Sequence, residues 1–132
     1  MKNEPYQSAR GVDIKVVTGK GRGVIATRKF RAGEIIETAP ALVVPKPDLD
    51  VLAKTFLGSY LFTTDNKKNV VVGLGITSML NHGEDANAEF FVTIDQITIK
   101  AKKAIVSGSE ITLDYRWGDK EWMQIHKSNE VT

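Results

Sequence analysis

The chain has 132 residues, 42% of them hydrophobic, a formal charge of +2 and no cysteine. That length and apolar content suit one globular domain with one core, and the lack of cysteine excludes disulfides and thiolate zinc sites. No apolar run approaches the ~20 residues of a membrane helix, and the mild charge does not suit a dedicated nucleic-acid binder.

Met1-Lys2-Asn3-Glu4 lacks a signal-peptide pattern, so a soluble intracellular protein is expected, cytoplasmic if the source is bacterial and otherwise open to the nucleus of its own or a host cell. The basic groups Lys20, Arg22, Arg28, Lys29, Arg31 and Lys100, Lys102, Lys103 read as solvated surface. In chain order, Val12-Asp13-Ile14-Lys15-Val16 alternates as a half-buried strand does. Gly19 to Gly23 reads as a glycine-rich turn, after which Val24 to Thr27 resumes an extended run. Ala32-Gly33 marks another turn before Glu34 to Glu37, and Ala41 to Val44 is a short strand ended by Pro45 and Pro47. Leu49, Leu52 and Phe56 lie at helical spacing in a helix over 48–56, with Asp48 as its N-cap. Ser59 to Thr63 and Val70 to Val72 form a hairpin across Asp65-Asn66-Lys67-Lys68. Gly73 to Leu80 is a short helix or an irregular buried segment. Glu89 to Ile94 and Gln96 to Ala101 form a second hairpin through Asp95, and a strand follows Ser107-Gly108 to end at Tyr115. Short strands divided by turns every 8 to 12 residues predict a mainly β domain. The pattern leaves the topology open.

Three segments carry chemistry only when taken together. Alone, Gly19-x-Gly21-x-Gly23 is a turn that needs no ligand, and no long helix follows it as a dinucleotide fingerprint requires. Asn81-His82-Gly83-Glu84-Asp85-Ala86-Asn87 alone is a capped turn after an apolar run. Tyr115, ending Glu110-Ile111-Thr112-Leu113-Asp114-Tyr115, alone is a core tyrosine. His82 is not a metal-ligand candidate, because the other histidine, His126, lies far off in the tail.

In this order and spacing, with Phe30-Arg31-Ala32-Gly33-Glu34 between the first two, the segments resemble the SET-domain family of protein lysine methyltransferases over about residues 12–118. The family's Asn-His-Ser-x-x-Pro-Asn pattern keeps Asn81, His82 and Asn87 and departs at Gly83 and Ala86. The resemblance implies a mainly β, β-clip-like SET fold of small curved sheets, with one or two short helices. A threaded C-terminal segment would bring Tyr115 beside Asn81-His82. It implies one domain over 1–132, with a core of about 12–118, a substrate-contacting insert at about 45–70 and a short tail over 119–132. No zinc-binding flanking module is expected.

The implied activity is transfer of methyl from S-adenosyl-L-methionine to a lysine side chain of a protein, a histone tail or another basic protein. The cofactor would meet Gly21, Arg22 and Gly23, then Asn81 at its methionine end and His82 at its adenine. Trp122 would cover the adenine. Asn87 would hold the turn, and Asn81→Ala would leave the cofactor-free fold undisturbed. Tyr115 is the implied catalytic tyrosine, with Tyr60 beside it; Tyr60, Leu113 and Trp117 would line the lysine channel. Pairing of two copies through exposed apolar edges is a further expectation. An inactive SET-like protein-binding module and a small β domain holding another ligand are the alternative readings.

Overall fold

The computed structural model describes residues 5–115. Val12–Val17 (β1) and Gly21–Ala26 (β2) form an antiparallel hairpin. The reversal itself is at 18–20, so Gly21 and Gly23 belong to a strand and not to the turn expected for them. β1 is a strand as predicted but not a half-buried one: residues 13–16 are all exposed, Ile14 at 46% and Val16 at 84%. The reason is its place at the sheet edge, paired on one side only.

Ile35–Val43 (β3) runs unbroken through Pro40, joining two stretches that read separately in the sequence. Proline lacks a backbone donor and is tolerated where that donor is not needed. Pro40 still contributes its carbonyl, which accepts the Leu74 N–H at 3.1 Å. The helix (α1) spans Lys46–Ala53, two residues earlier than predicted, because Pro47 suits a first-turn position. Asp48 therefore sits in the first turn and caps nothing; Pro45 holds the cap position. A 3₁₀ turn over Phe56–Tyr60 takes up Ser59 and Tyr60, expected as strand, and leads into the hairpin of Leu61–Thr63 (β4) and Val70–Gly73 (β5).

A second 3₁₀ turn, Thr77–Met79, precedes the two-residue strand Asn81–His82 (β6). Ala88–Val92 (β7) and Gln96–Ala101 (β8) form the predicted second hairpin, and Glu110–Leu113 (β9) ends the described sheet. Its strand order is β1-β2-β9-β7-β8-β3-β5-β4, with β6 added alongside β9. Two strands join the smaller sheets. β9 pairs antiparallel with β2 and parallel with β6 and β7, while β3 pairs β8 through its first half and β5 through its last three residues.

Val24, Phe30, Ile36, Ile97, Ile99, Ile111 and Leu113 fill the centre of the core, each at most 1% exposed. Removing such side chains from water is the dominant favourable term in folding. Phe62 meets Phe90 edge to face at 5.3 Å. The described residues include no helix long and apolar enough to cross a membrane.

Candidate active site

The site is built where β9 passes β6. Their parallel register sets Asn81 against Thr112 and His82 against Leu113. The Gly83 N–H donates to the Leu113 carbonyl at 2.9 Å, continuing the ladder. Gly83 also has a steric reason: a Cβ there would lie 2.8 Å from Thr112 Oγ1. Asn87 ties the far end of the loop to the same strand. Its Nδ2 donates to the Glu110 carbonyl at 2.9 Å and its Oδ1 accepts the Thr112 N–H at 3.0 Å.

Just beyond β9, the Tyr115 N–H donates to His82 Nδ1 at 3.1 Å. That acceptor role puts the proton of a neutral His82 on Nε2. The two rings lie 5.3 Å apart, tilted by 59°. The Tyr115 hydroxyl donates to the Leu80 carbonyl, so both ends of the tyrosine are held by the segment that leads into and forms β6. Burial pushes its phenol up to about 12, helped by nearby Tyr60 and Glu110. A raised phenol pKa favours the neutral form, so Tyr115 is a hydrogen-bond donor at neutral pH and not a base.

Tyr60 ends its 3₁₀ turn half-exposed, with the Phe56 ring set edge-on at 6.4 Å. The Ser78 hydroxyl donates to its carbonyl at 3.4 Å. Leu113, expected along a lysine channel, is fully buried in the core beneath this surface. Trp117 and Trp122 lie outside the described residues.

The Asn81 side chain turns toward β2. Its Nδ2 donates to the Arg22 carbonyl at 3.0 Å and to Glu110 Oε2 at 2.8 Å. Lys20 Nζ donates to the other Glu110 oxygen at 2.9 Å. A Cβ on Gly23 would lie 2.7 Å from both Glu110 Oε2 and Val17 Cγ2 and 2.8 Å from Asn81 Nδ2, so this residue is glycine to make room for the network and for Val17. Gly21 differs: space is open around it, but its φ of +76° is one that side chains disfavour. Gly21, Arg22, Gly23, Asn81, His82, Tyr60 and Tyr115 are thus brought to one region. Lys20 and Glu110 were missed from the sequence. They lie ninety residues apart, and only the β2–β9 pairing reveals the contact.

Cavities also lie elsewhere among the described residues. One of about 230 Å³ borders the end of β9, lined by Ala88, Glu89, Phe90, Phe91, Lys102 and Asp114. Another, about 590 Å³, lies under the N-terminal segment at Tyr6, Gln7, Ser8, Arg10, Arg28 and Ile36, and shares no residue with the tyrosine site.

Comparison with known proteins agrees with this architecture. Among solved structures, a Plasmodium falciparum protein provisionally named a histone methyltransferase shares the fold, with a TM-score of 0.66 at 22% identity over 83% of this chain and 94% of that one. No curated protein matches the sequence. The model of the SET domain matches residues 21–116, from the glycine strand β2 through Tyr115. With that match covering most of its length, the chain belongs to the SET-domain family.

Proposed function

We propose that this chain is an S-adenosylmethionine-dependent protein lysine N-methyltransferase, acting on a histone tail or another basic protein. The observation that carries the reading is the meeting of Tyr115 with Asn81-His82 across the β6–β9 pair. The side chains there fit the amino-acid end of the cofactor. Lys20 and Arg22 can face a carboxylate, while Glu110 and Asn81 Oδ1 can accept from an ammonium. Asn81 has committed both amide hydrogens to the protein, so its part would be as an acceptor.

When bound, S-adenosylmethionine supplies a methyl group activated by its sulfonium. The protein's task is to hold an uncharged lysine amine in line with it. Lysine titrates near 10.4, so the neutral amine at pH 7.4 costs about 4 kcal/mol. A dry channel lowers that cost by disfavouring the ammonium. Tyr115, neutral and fixed at both ends, would align the amine through its hydroxyl, so catalysis rests on position and electrostatics.

Single-turnover transfer to core histones tests this, with wild type and Tyr115→Phe both saturated in cofactor. Loss of one positioned hydrogen bond of about 2–3 kcal/mol slows transfer by roughly 30-fold to 160-fold, with cofactor affinity unchanged. Equal rates would remove Tyr115 from the reaction. Failure of wild type to bind cofactor by calorimetry would leave the inactive binding-module reading.

A further inference from the structure

Glu37 is the one buried carboxylate among the described residues, at 5% exposure, and it takes no part in the site described above. An irregularity in β3 accounts for it. The register against β8 runs from Ile35–Lys100 directly to Glu37–Ile99, so Ile36 is an extra residue and Ile36 through Ala39 are buried in succession. A bulge of this kind re-aims a side chain. Here it sends a carboxylate inward that simple alternation would have placed opposite Ile36.

The carboxylate is met by backbone donors. Glu37 Oε1 accepts the Ile76 N–H at 2.9 Å, Oε2 accepts the Ala9 N–H at 3.4 Å, and the Thr77 N–H adds a third. Gly75 is shaped around it. Its φ is +68°, and a Cβ would lie 2.5 Å from both carboxylate oxygens. Glu37 therefore pins a turn by its main chain, with a glycine that leaves the carboxylate space.

What that turn carries gives the arrangement its meaning. Segment 74–80 runs from it into β6, braced by Thr77 Oγ1 on the Leu74 carbonyl at 2.6 Å and by Met79 N on the Ile76 carbonyl at 2.9 Å. Ser78, in the middle, holds the Tyr60 carbonyl, and Leu80, at the end, holds the Tyr115 hydroxyl. Both tyrosines of the candidate site rest on this one segment.

We propose that Glu37 is a positioning residue for the tyrosine pair: by pinning the Gly75–Thr77 turn it fixes segment 74–80, and through it the Leu80 carbonyl and the Tyr115 hydroxyl. The proposal rests on the methyltransferase reading only for its kinetic consequence. A carboxylate is suited to the task because it accepts from several amides at once, whereas an amide of the same shape turns one end into a donor facing another donor. Burial pushes the Glu37 carboxyl up, opposed by those N–H groups.

The test uses the full chain with tyrosine labelled at ¹³Cζ, its three resonances assigned by single Tyr→Phe exchanges. Tyr115 should titrate near 12 in wild type. In Glu37→Gln its titration should move toward the ordinary 10, since the phenol loses the enclosure and the Leu80 acceptor that favour its neutral form. Single-turnover transfer to core histones should fall at least about tenfold, with the calorimetric Kd for S-adenosylmethionine unchanged within about twofold. If Glu37→Gln does not fold, Gly75→Ala is read in its place, because it strikes the same contact from the turn side. A Tyr115 titration that stays near 12, with transfer at the wild-type rate, overturns the proposal. The two readings fail separately: a shifted Tyr115 titration alongside full activity in Tyr115→Phe supports the Glu37 anchor and sinks the catalytic tyrosine.

Discussion

Asn81→Ala tests whether the residue that resembles a cofactor ligand also holds the protein together. Its amide donates to the Arg22 carbonyl at 3.0 Å and to the Glu110 carboxylate at 2.8 Å. A neutral hydrogen bond contributes about 0.5–1.5 kcal/mol and one to a charged group about 1.5–3. Full loss would cost about 2–4 kcal/mol, but water can reach part of this edge, which favours the lower end, about 2 kcal/mol. For a domain of this size that is a fall in Tm of roughly 6–10 °C without any ligand. The assay is guanidinium denaturation at pH 7 of wild type, Asn81→Ala, Glu110→Gln and the double variant. The cycle should return a coupling of about 1–2 kcal/mol between positions 81 and 110. A coupling near zero, or an unchanged midpoint in Asn81→Ala, would refute the bond and restore the sequence-based expectation that the cofactor-free fold does not need Asn81.

Two further outcomes follow from the same geometry. The Tyr115 phenol, raised from 10.0 to about 12 in the fold, contributes stability that is complete below pH 10 and is lost as pH rises through 12. That loss is about 2–3 kcal/mol, so denaturation free energies at pH 9 and 12 should show wild type falling by this amount relative to Tyr115→Phe; parallel curves would show the phenol unshifted. Gly23→Ala should cost about 1–3 kcal/mol because its methyl meets Glu110, Val17 and Asn81. Gly21→Ala meets nothing and should cost about 1–2 kcal/mol, through its φ alone. Glu110→Ala should relieve part of the Gly23→Ala loss, since Val17 and Asn81 still meet the added methyl, and the same exchange should leave Gly21→Ala unrelieved.

Local pattern was enough for the hairpins. β4–β5 and β7–β8 show in alternation and turn residues because each is closed by neighbours in the chain. The union of two stretches into β3 was hidden by Pro40, which reads as a break when its sheet partners are unknown. Asp48 had the chemistry of a cap, yet Pro45 and Pro47 set the helix start. Of the site, the neighbourhood of Asn81, His82 and Tyr115 came from family resemblance, since no periodicity announces a parallel pair of two residues. Neither Glu37 nor Glu110 had a partner legible in the sequence. One is turned inward by a bulge and the other is met by Lys20 from a remote strand, and neither event leaves a trace in composition or spacing.

The position of β9 governs when the candidate site can form. It supplies the centre of the core through Ile111 and Leu113, the partner of β2 through Val24–Ile111, and the seat of Asn81 through Thr112. All three await the last described strand. A chain emerging from the ribosome can close its β4–β5 and β7–β8 hairpins early, but long-range pairings are slow to form and cannot begin before both partners exist. Until β9 emerges, Asn81 has no strand beside it and Tyr115 has not been made. The region where Asn81 meets Tyr115 therefore takes its form only once β9 is available, after both hairpins can have closed.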